Sequence, residues 1–415
     1  MEDIIKISNL ALDSLKSNYS GFISSSSEEE TIESRYALQM KKTLWCVNNE
    51  AKANQITTNV NKATYRIDNI DYLKYCYIDF ELPKISVKKE FKDTIKVSWC
   101  EKVGLAIIKD AKLFISDILV QSHNSKTLNI LTSLDIQNSD KEIFDRLIGN
   151  DESITAKSSC KEKIHLRVPQ LWFFSKKRSV ALPKYLIDND IFFQYEYQPL
   201  SKLIKIYRED EKGVYEIEYD EKYVDLPTQY IIPDFYYRFS QITQEEKSWV
   251  KEKKFQILLQ EIVLHETKIE PPINKFKFKF TDNGLCQGLI WTIQDQTDAA
   301  VNNYFTYLKS NELEYNVMLT SADHGKILSK DNKYFSLLNQ WYTCNGFSED
   351  DYNIIPFTDK IFLKATMDSG INLKDLKIKF NGELQQKPKK QYIVEFYVII
   401  SKVIEIENGK IKILV

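Results

Sequence analysis

The sequence predicts an all-β chain made of sandwiches of jelly-roll or related type, and three observations carry that prediction. From about Trp45 onward, short segments alternate apolar and polar residues with period 2 between polar or proline-containing turns. Tyr and Phe, which suit pleated and half-buried surfaces, number 24 and 22. Helical patterns are sparse, and many short strands separated by long irregular connections imply sandwiches.

The elements follow in chain order. The first 44 residues read as an arm, weakly amphipathic between Ile4 and Leu15 and then passing through Ser24 to Ser27 into Glu28 to Glu30. Strands are expected over 75–82, 113–118, 191–197, 214–219, 257–264, 289–293, 376–380 and 392–400. The clearest pattern is Lys275-Phe276-Lys277-Phe278-Lys279-Phe280, which separates its phenylalanines from its lysines only as a strand, because a helix would scatter both sets around its axis. Its lysine face is read as solvated and as discouraging edge pairing, with a membrane or nucleic-acid contact as the sharper alternative. A capping box at Thr243-Gln244-Glu245-Glu246 predicts a helix over 247–254, and the connections near 120–165 and 300–350 leave room for further short helices. Pro227 and Pro233 bracket a short segment with comparable strand-rich lengths on either side. The expected division is therefore an arm at 1–44, a first unit at 45–228 and a second at 229–415.

Composition narrows the function. The chain has 57 basic and 59 acidic residues, a net charge of −2, with 43% hydrophobic and 28% charged residues. That excludes a disordered chain and a generally basic nucleic-acid coat. Glycine stands at 11 of 415 residues, well below the usual roughly 7%, so Gly-rich phosphate loops have little to be built from. The N-terminus has no basic region or small-residue cleavage site of a secretory signal, and no run reaches the length of a membrane span. Six dispersed cysteines without a C-x-x-C read as reduced, packed thiols in a cytosolic setting.

Catalytic and metal motifs are not found. His123, His165, His265 and His324 are solitary, with no H-E-x-x-H, and each reads first as a surface or hydrogen-bonded residue. Neither a P-loop nor a G-x-S-x-G elbow occurs. Asp350-Asp351 is one acidic pair among 59 acids, and Asp295-Gln-Thr-Asp298 lacks the glycine and distal glutamate of a calcium loop, reading instead as a polar turn after a strand. No catalytic, cofactor-binding or metal residue is assigned. Aromatic clusters stand out instead: Trp172-Phe173-Phe174, and Phe235-Tyr236-Tyr237 with Arg238 and Phe239. Stacking of single-stranded nucleic acid is one reading, and sandwich core or subunit interface is the favoured one. The basic clusters Lys176-Lys177-Arg178 and Lys387 with Lys389-Lys390 read as solvated loop tips.

Eight stretches can be read in order: Arg66 to Leu73 with Tyr77 to Pro83, Trp99 to Lys109 with Leu113 to Ser116, Val168 to Phe174 with Val180 to Ile187 and Ile191 to Tyr195, Asp234 to Tyr237, Leu258 to Val263, Leu289 to Gln294, Ser369 to Leu373, and Tyr392 to Ile406 with Asn408-Gly409 as the last turn. In that order they resemble the double jelly-roll major capsid proteins of nucleocytoplasmic large DNA viruses. Asp68-Asn69 replaces the family's usual Gly-Asp, and the Gly-rich C-terminal character gives way to Lys410-Ile-Lys-Ile-Leu-Val415.

The resemblance implies two consecutive eight-stranded jelly-roll sandwiches with a few short helices in loops, and a structural protein of the virion capsid, made in the host cytoplasm, that is not an enzyme. It implies a homotrimer contacting neighbouring capsomers and minor capsid proteins. Ile4, Leu15, Trp172, Phe173, Phe174, Tyr236 and Tyr237 are the interface and assembly candidates. The acidic arm argues against direct contact with nucleic acid and for an internal membrane or other proteins beneath the shell. A poxvirus-type scaffold, a minor capsid protein of the same fold and an all-β carbohydrate-binding protein are the alternatives.

Overall fold

The computed structural model describes residues 49–414 apart from 158, 177–180, 212, 228–231, 243, 245–246, 249–254, 347–351, 360 and 363–369. The arm with Ile4 and Leu15, the capping box, the pair Asp350-Asp351, residues 177 and 178 of the basic cluster, and the expected boundary at 228 lie outside the described residues.

The chain writes one strand order twice. In the first half the principal strands are Asn49–Lys52, Lys62–Arg66, Tyr72–Leu82, Ile108–Ile115, Ile118–His123, Ile164–Gln170, Ile191–Tyr197 and Asp234–Ser240. The first, eighth, third and sixth of these form one antiparallel sheet, and the second, seventh, fourth and fifth form the other. In the second half the set is Phe255–Ile269, Lys275–Lys279, Leu285–Asp295, Tyr315–Ser321, Gly325–Asp331, Asn353–Pro356, Lys379–Leu384 and Tyr392–Glu407, in the same two orders. This is the jelly-roll winding, present in both halves. Asp234–Ser240 is hydrogen-bonded to Tyr72–Leu82 and so belongs with the first sandwich. We therefore propose that the units divide after Ser240, beyond the segment between the two prolines.

Alternation explains most strands. Phe276 and Phe280 are buried and Phe278 half-buried, while Lys275, Lys277 and Lys279 are exposed, so the Lys-Phe segment keeps its two faces apart as its period demands. In Ile191–Tyr197, Ile191, Phe193, Tyr195 and Tyr197 point inward. The ring of Phe193 stacks on Phe235 at 4.6 Å and meets Trp172 at 5.5 Å. Trp291 anchors the second sandwich between Phe335 and Phe380, with its indole N–H donating to the Tyr315 hydroxyl at 3.0 Å.

One sheet is buried on both faces. In Tyr392–Glu407, Val394, Phe396, Val398 and Ile400 enter the second core, while Tyr397, Ile399, Ile404 and Ile406 join the core of the first sandwich. Leu285–Asp295 behaves alike, with Leu289, Trp291 and Ile293 on one side and Ile290 on the other. A strand burying both faces loses its alternation, which is why 393–400 reads as a nearly unbroken apolar run.

Two expected strands move. The segment 113–118 breaks at Ser116, whose φ of 56° builds a two-residue turn joining Ile115 to its partner Ile118. The expected 376–380 strand starts only at Lys379, because Lys377 has a φ of 49° and the Leu376 amide closes a turn on the Asn372 carbonyl. Left-handed positions at Lys102, Ser116, Asn302, Lys377 and Asn408 show how tight turns form with little glycine. Helices occupy the connection between the fifth and sixth strands in both halves: Ser125–Leu134, Asn138–Leu147 and Glu152–Thr155 in the first, and Tyr334–Leu338 running into Asn339–Thr343 in the second.

Gly382 lies directly across from Phe276, and a Cβ there would sit 2.1 Å from the ring. Gly382→Ala is expected to lower stability by about 1–3 kcal/mol through overpacking; a urea titration that leaves the midpoint unchanged would contradict this packing.

Candidate assembly surfaces

Of the sequence-chosen assembly residues, Trp172, Phe173, Phe174 and Tyr237 are buried inside the first sandwich. Their side chains have no surface to offer a neighbouring subunit; consecutive aromatics here serve the core. Tyr236 is different. It faces outward, half-buried, and stacks on Tyr77 with ring centroids 5.2 Å apart.

The contact that builds the molecule lies between its halves. Ser125–Leu134 starts with a capping box in which the Asn124 carboxamide accepts from the Thr127 amide at 2.8 Å and the Thr127 hydroxyl accepts from the Asn124 amide at 2.9 Å. So fixed, the helix meets the outer face of the doubly buried sheet. Lys126 donates to the fully buried Glu395 carboxylate and, at 3.1 Å, to Glu266. Burial works to lower the pKa of Lys126, but the two carboxylates outweigh it and hold the ammonium above its ordinary value. Glu395 also accepts from the hydroxyls of Tyr397, at 2.5 Å, and Thr292. Asn129 accepts from Lys102 at 2.8 Å and donates to the Tyr352 hydroxyl at 2.7 Å. At the far end of the helix, the Leu134 carbonyl accepts from the amides of Asn345 and Gly346 at 3.1 and 2.9 Å. A Cβ at Gly346 would stand 2.4 Å from the Ile136 carbonyl oxygen, so the two backbones approach this closely only with glycine. Beside the helix, Gln121 of Ile118–His123 donates to the Gln260 carbonyl at 3.0 Å and accepts from the Phe173 amide at 3.0 Å. Sequence reading missed all these partners; only Asn124-x-x-Thr127 is a local signal, since Lys126 and Glu395 are far apart in the chain.

The corresponding outer face of the first sandwich carries the Tyr77–Tyr236 stack among ion pairs such as Lys52 with Asp234 at 2.7 Å, Arg238 with Glu50 at 3.2 Å and Arg167 with Asp79 at 3.2 Å. Being exposed or half-exposed, these pairs contribute little stability each. The remaining titratable groups read as packing and surface groups. Asp295 ends its strand by accepting from the amide and hydroxyl of Thr297, the polar turn expected from sequence, and it pairs with Lys390 at 2.8 Å. Among the described residues, no group of three or more His, Cys, Asp and Glu side chains is arranged to hold a metal ion. His265 pairs with Asp282 at 2.9 Å and His165 with Asp79 at 2.5 Å. His123 is fully buried against Trp172, and desolvation, with the nearby charge of Lys176 adding to it, pushes the imidazole down to about 3.

Two outcomes follow. Lys126→Met leaves Glu395 buried without its cation and should cost about 3–5 kcal/mol, part of which Lys126→Met with Glu395→Gln recovers, as measured by denaturant unfolding. His123 is neutral when folded and gains a proton on unfolding, so stability should fall as pH falls from about 6.5 toward the folded value of about 3, at a little over 1 kcal/mol per pH unit. In His123→Phe the stability difference between pH 4 and pH 7 should shrink; an unchanged difference would show that His123 does not titrate this way.

Comparison with known proteins agrees with this architecture. Residues 34–232 match the family model described as major capsid protein N-terminus. A curated relative, probable capsid protein 4 of Acanthamoeba polyphaga mimivirus, is 26% identical over 117 residues, covering 27% of this chain and 22% of that protein. The chain thus spans under a quarter of that relative's length. Among solved structures, the PBCV-1 virus capsid has a TM-score of 0.69 at 11% identity, covering 88% of this chain and 95% of that one. PBCV-1 VP54 gives 0.68 at 12%, with 88% and 97% covered, and the Faustovirus major capsid protein gives 0.67 at 9%, with 86% and 90% covered. At such identities the likeness is one of fold, and it extends over both sandwiches. The family model, the mimivirus relative and the Faustovirus structure are each described as a capsid protein. A family match over residues 34–232 and a double jelly-roll fold over both halves are thus what this chain shares with the major capsid proteins.

Proposed function

We propose that the chain is a shell subunit that forms homotrimers, three chains placing six jelly rolls in a pseudo-hexagonal block that tiles an icosahedral virion capsid. The observation that carries this reading is the repeated strand order joined through one doubly buried sheet, which makes each chain a rigid pair of like units. Neighbouring capsomers and minor capsid proteins are the expected partners, after synthesis in the host cytoplasm. The near-neutral charge and the acids at Glu28 to Glu30 favour a shell over an internal membrane or other proteins, without direct contact with DNA. Ile4 and Leu15 give the arm an apolar side for such an anchor. Because the family match stops at residue 232, a minor capsid component of the same fold is the second reading.

Light scattering should give a particle near three times 48.8 kDa with a hexagonal outline in electron micrographs; a monomer at all concentrations would overturn the trimer. Deleting residues 1–30 should leave the trimer intact and impair higher assembly, and loss of the trimer itself would contradict the arm's role. Quantitative proteomics of mature particles separates the two readings: a dominant copy number supports the major shell protein, and a few copies per particle support the minor one.

A further inference from the structure

We propose that the lysine-bearing outer face of the second sandwich, on the sheet of Lys275–Lys279, Lys379–Leu384, Tyr315–Ser321 and Gly325–Asp331, is a docking surface for the acidic segment Glu28 to Glu33 of the same chain. The inference goes beyond the shell-subunit reading and does not depend on it. Its ground is the register of the sheet. Lys279 lies opposite Lys379, Lys379 opposite Thr320, and Thr320 opposite Lys326, so three lysines stand in one row across four strands. Lys277 adjoins the row two residues along its strand. All four lysines are exposed, and among the described residues none has an ion-pair partner. The acids of this face lie at its margins, where Glu383 pairs with Lys275 at 3.3 Å and Asp323 with Lys377 at 3.9 Å. A solvated strand face accounts for the alternation of Lys275, Lys277 and Lys279. It does not account for Lys379 directly across from Lys279, because like charges placed opposite each other weaken a strand pair. An anion lying across the row removes that repulsion.

The face selects among anions. Its other positions are Asn381, Thr320, Ser329 and Met318, so it has no aromatic ring on which a nucleic-acid base could stack. The apolar side chains near it, half-buried Met318 and Ile327 on the edge strand, are too few to hold a bilayer. An extended acidic peptide fits, because its side chains alternate with the period of the strands. Glu28 and Glu30 of an extended chain fall on one side about 7 Å apart, the spacing of Lys277 and Lys279. Residues 17–34 carry Glu28, Glu29, Glu30 and Glu33 and no Lys or Arg, so four negative charges match four unpaired positive ones. The 19 residues from Glu30 to Asn49 reach about 65 Å when extended, enough to pass several sheet layers at about 10 Å each. A tethered segment acts at a millimolar effective concentration, so in dilute solution the chain's own arm outcompetes that of any other copy. Each exposed pair is weak and screened by salt, which makes the contact a releasable one.

The test uses the full-length chain with a photo-crosslinking residue at position 31, between the acids. Irradiation of dilute protein at physiological salt should join position 31 to residues 275–279, 315–321, 325–331 or 379–384 within a single chain. At about 1 M salt, where the Debye length falls to about 3 Å, the yield should drop roughly tenfold. Lys277→Glu with Lys279→Glu should abolish the crosslink and keep the wild-type circular dichroism, since both side chains are exposed. Adding Glu28→Lys with Glu30→Lys should restore it. If the charge-reversed chain fails to fold, Lys279→Gln with Lys379→Gln provides the same measurement without reversing charge. Crosslinks to the first sandwich, a yield indifferent to salt, or no rescue by the charge swap would overturn the docking. In a mixture of isotopically light and heavy chains, crosslinks found only between the two would overturn the assignment to the chain's own arm. Wild-type protein that gives no crosslink, yet binds phosphatidylserine vesicles or a single-stranded oligonucleotide through Lys277 and Lys279, would assign the face to that polyanion and overturn the arm as its occupant. A trimer without the crosslink would overturn this docking while leaving the shell-subunit reading in place.

Discussion

Everything in this chain depends on one sheet being buried twice. Phe255–Ile269, Tyr392–Glu407, Leu285–Asp295 and Asn353–Pro356 form the inner wall of the second sandwich and also the floor on which the first sandwich sits. A jelly roll standing alone would keep the outer face of this sheet polar. Here Ile290, Ile354, Tyr397 and Ile399 fill it, and exposing them would cost roughly 1.5–3 kcal/mol per side chain. The two sandwiches therefore hold together by the same force that holds each one.

Apolar burial alone does not choose an orientation, and the polar groups at the junction do. Glu395 is fully buried and needs the Lys126 ammonium, Asn129 needs the Tyr352 hydroxyl, and the Leu134 carbonyl needs two amides across the gap. Sliding the first sandwich by one turn of Ser125–Leu134 would leave each of these unpaired in a low-dielectric place, where a lost partner costs more than the bond contributes. Gly346 admits only the observed approach of the backbones.

Much of the fold was legible because half-buried strands announce themselves by period. Ile191–Tyr197 and the Lys-Phe segment are readable residue by residue, and Asn408-Gly409, with φ of 50° and 76°, makes the tight terminal turn its sequence indicates. Legibility fails where two rules compete. Ile118 extends an apolar run across the turn at Ser116, and a turn that uses serine in place of glycine carries no punctuation. The split between buried and exposed aromatics was the least legible part. Trp172-Phe173-Phe174 and Leu337, Leu338, Trp341 and Tyr342 are equally aromatic or apolar in sequence, yet the first cluster is buried and the second faces outward. Only tertiary packing separates them. The scarcity of glycine loses its oddity once Lys102, Ser116, Asn302, Lys377 and Asn408 are seen in left-handed conformations.

If the shared sheet makes the two jelly rolls one block, they should open together. Amide hydrogen exchange followed by mass spectrometry measures this directly on the full chain. The expected result is a common protection for Ile191–Tyr197, Leu285–Asp295 and Tyr392–Glu407, all exchanging through a single global opening. Independent opening of 255–414, with the first sandwich still protected, would contradict a chain built as one unit.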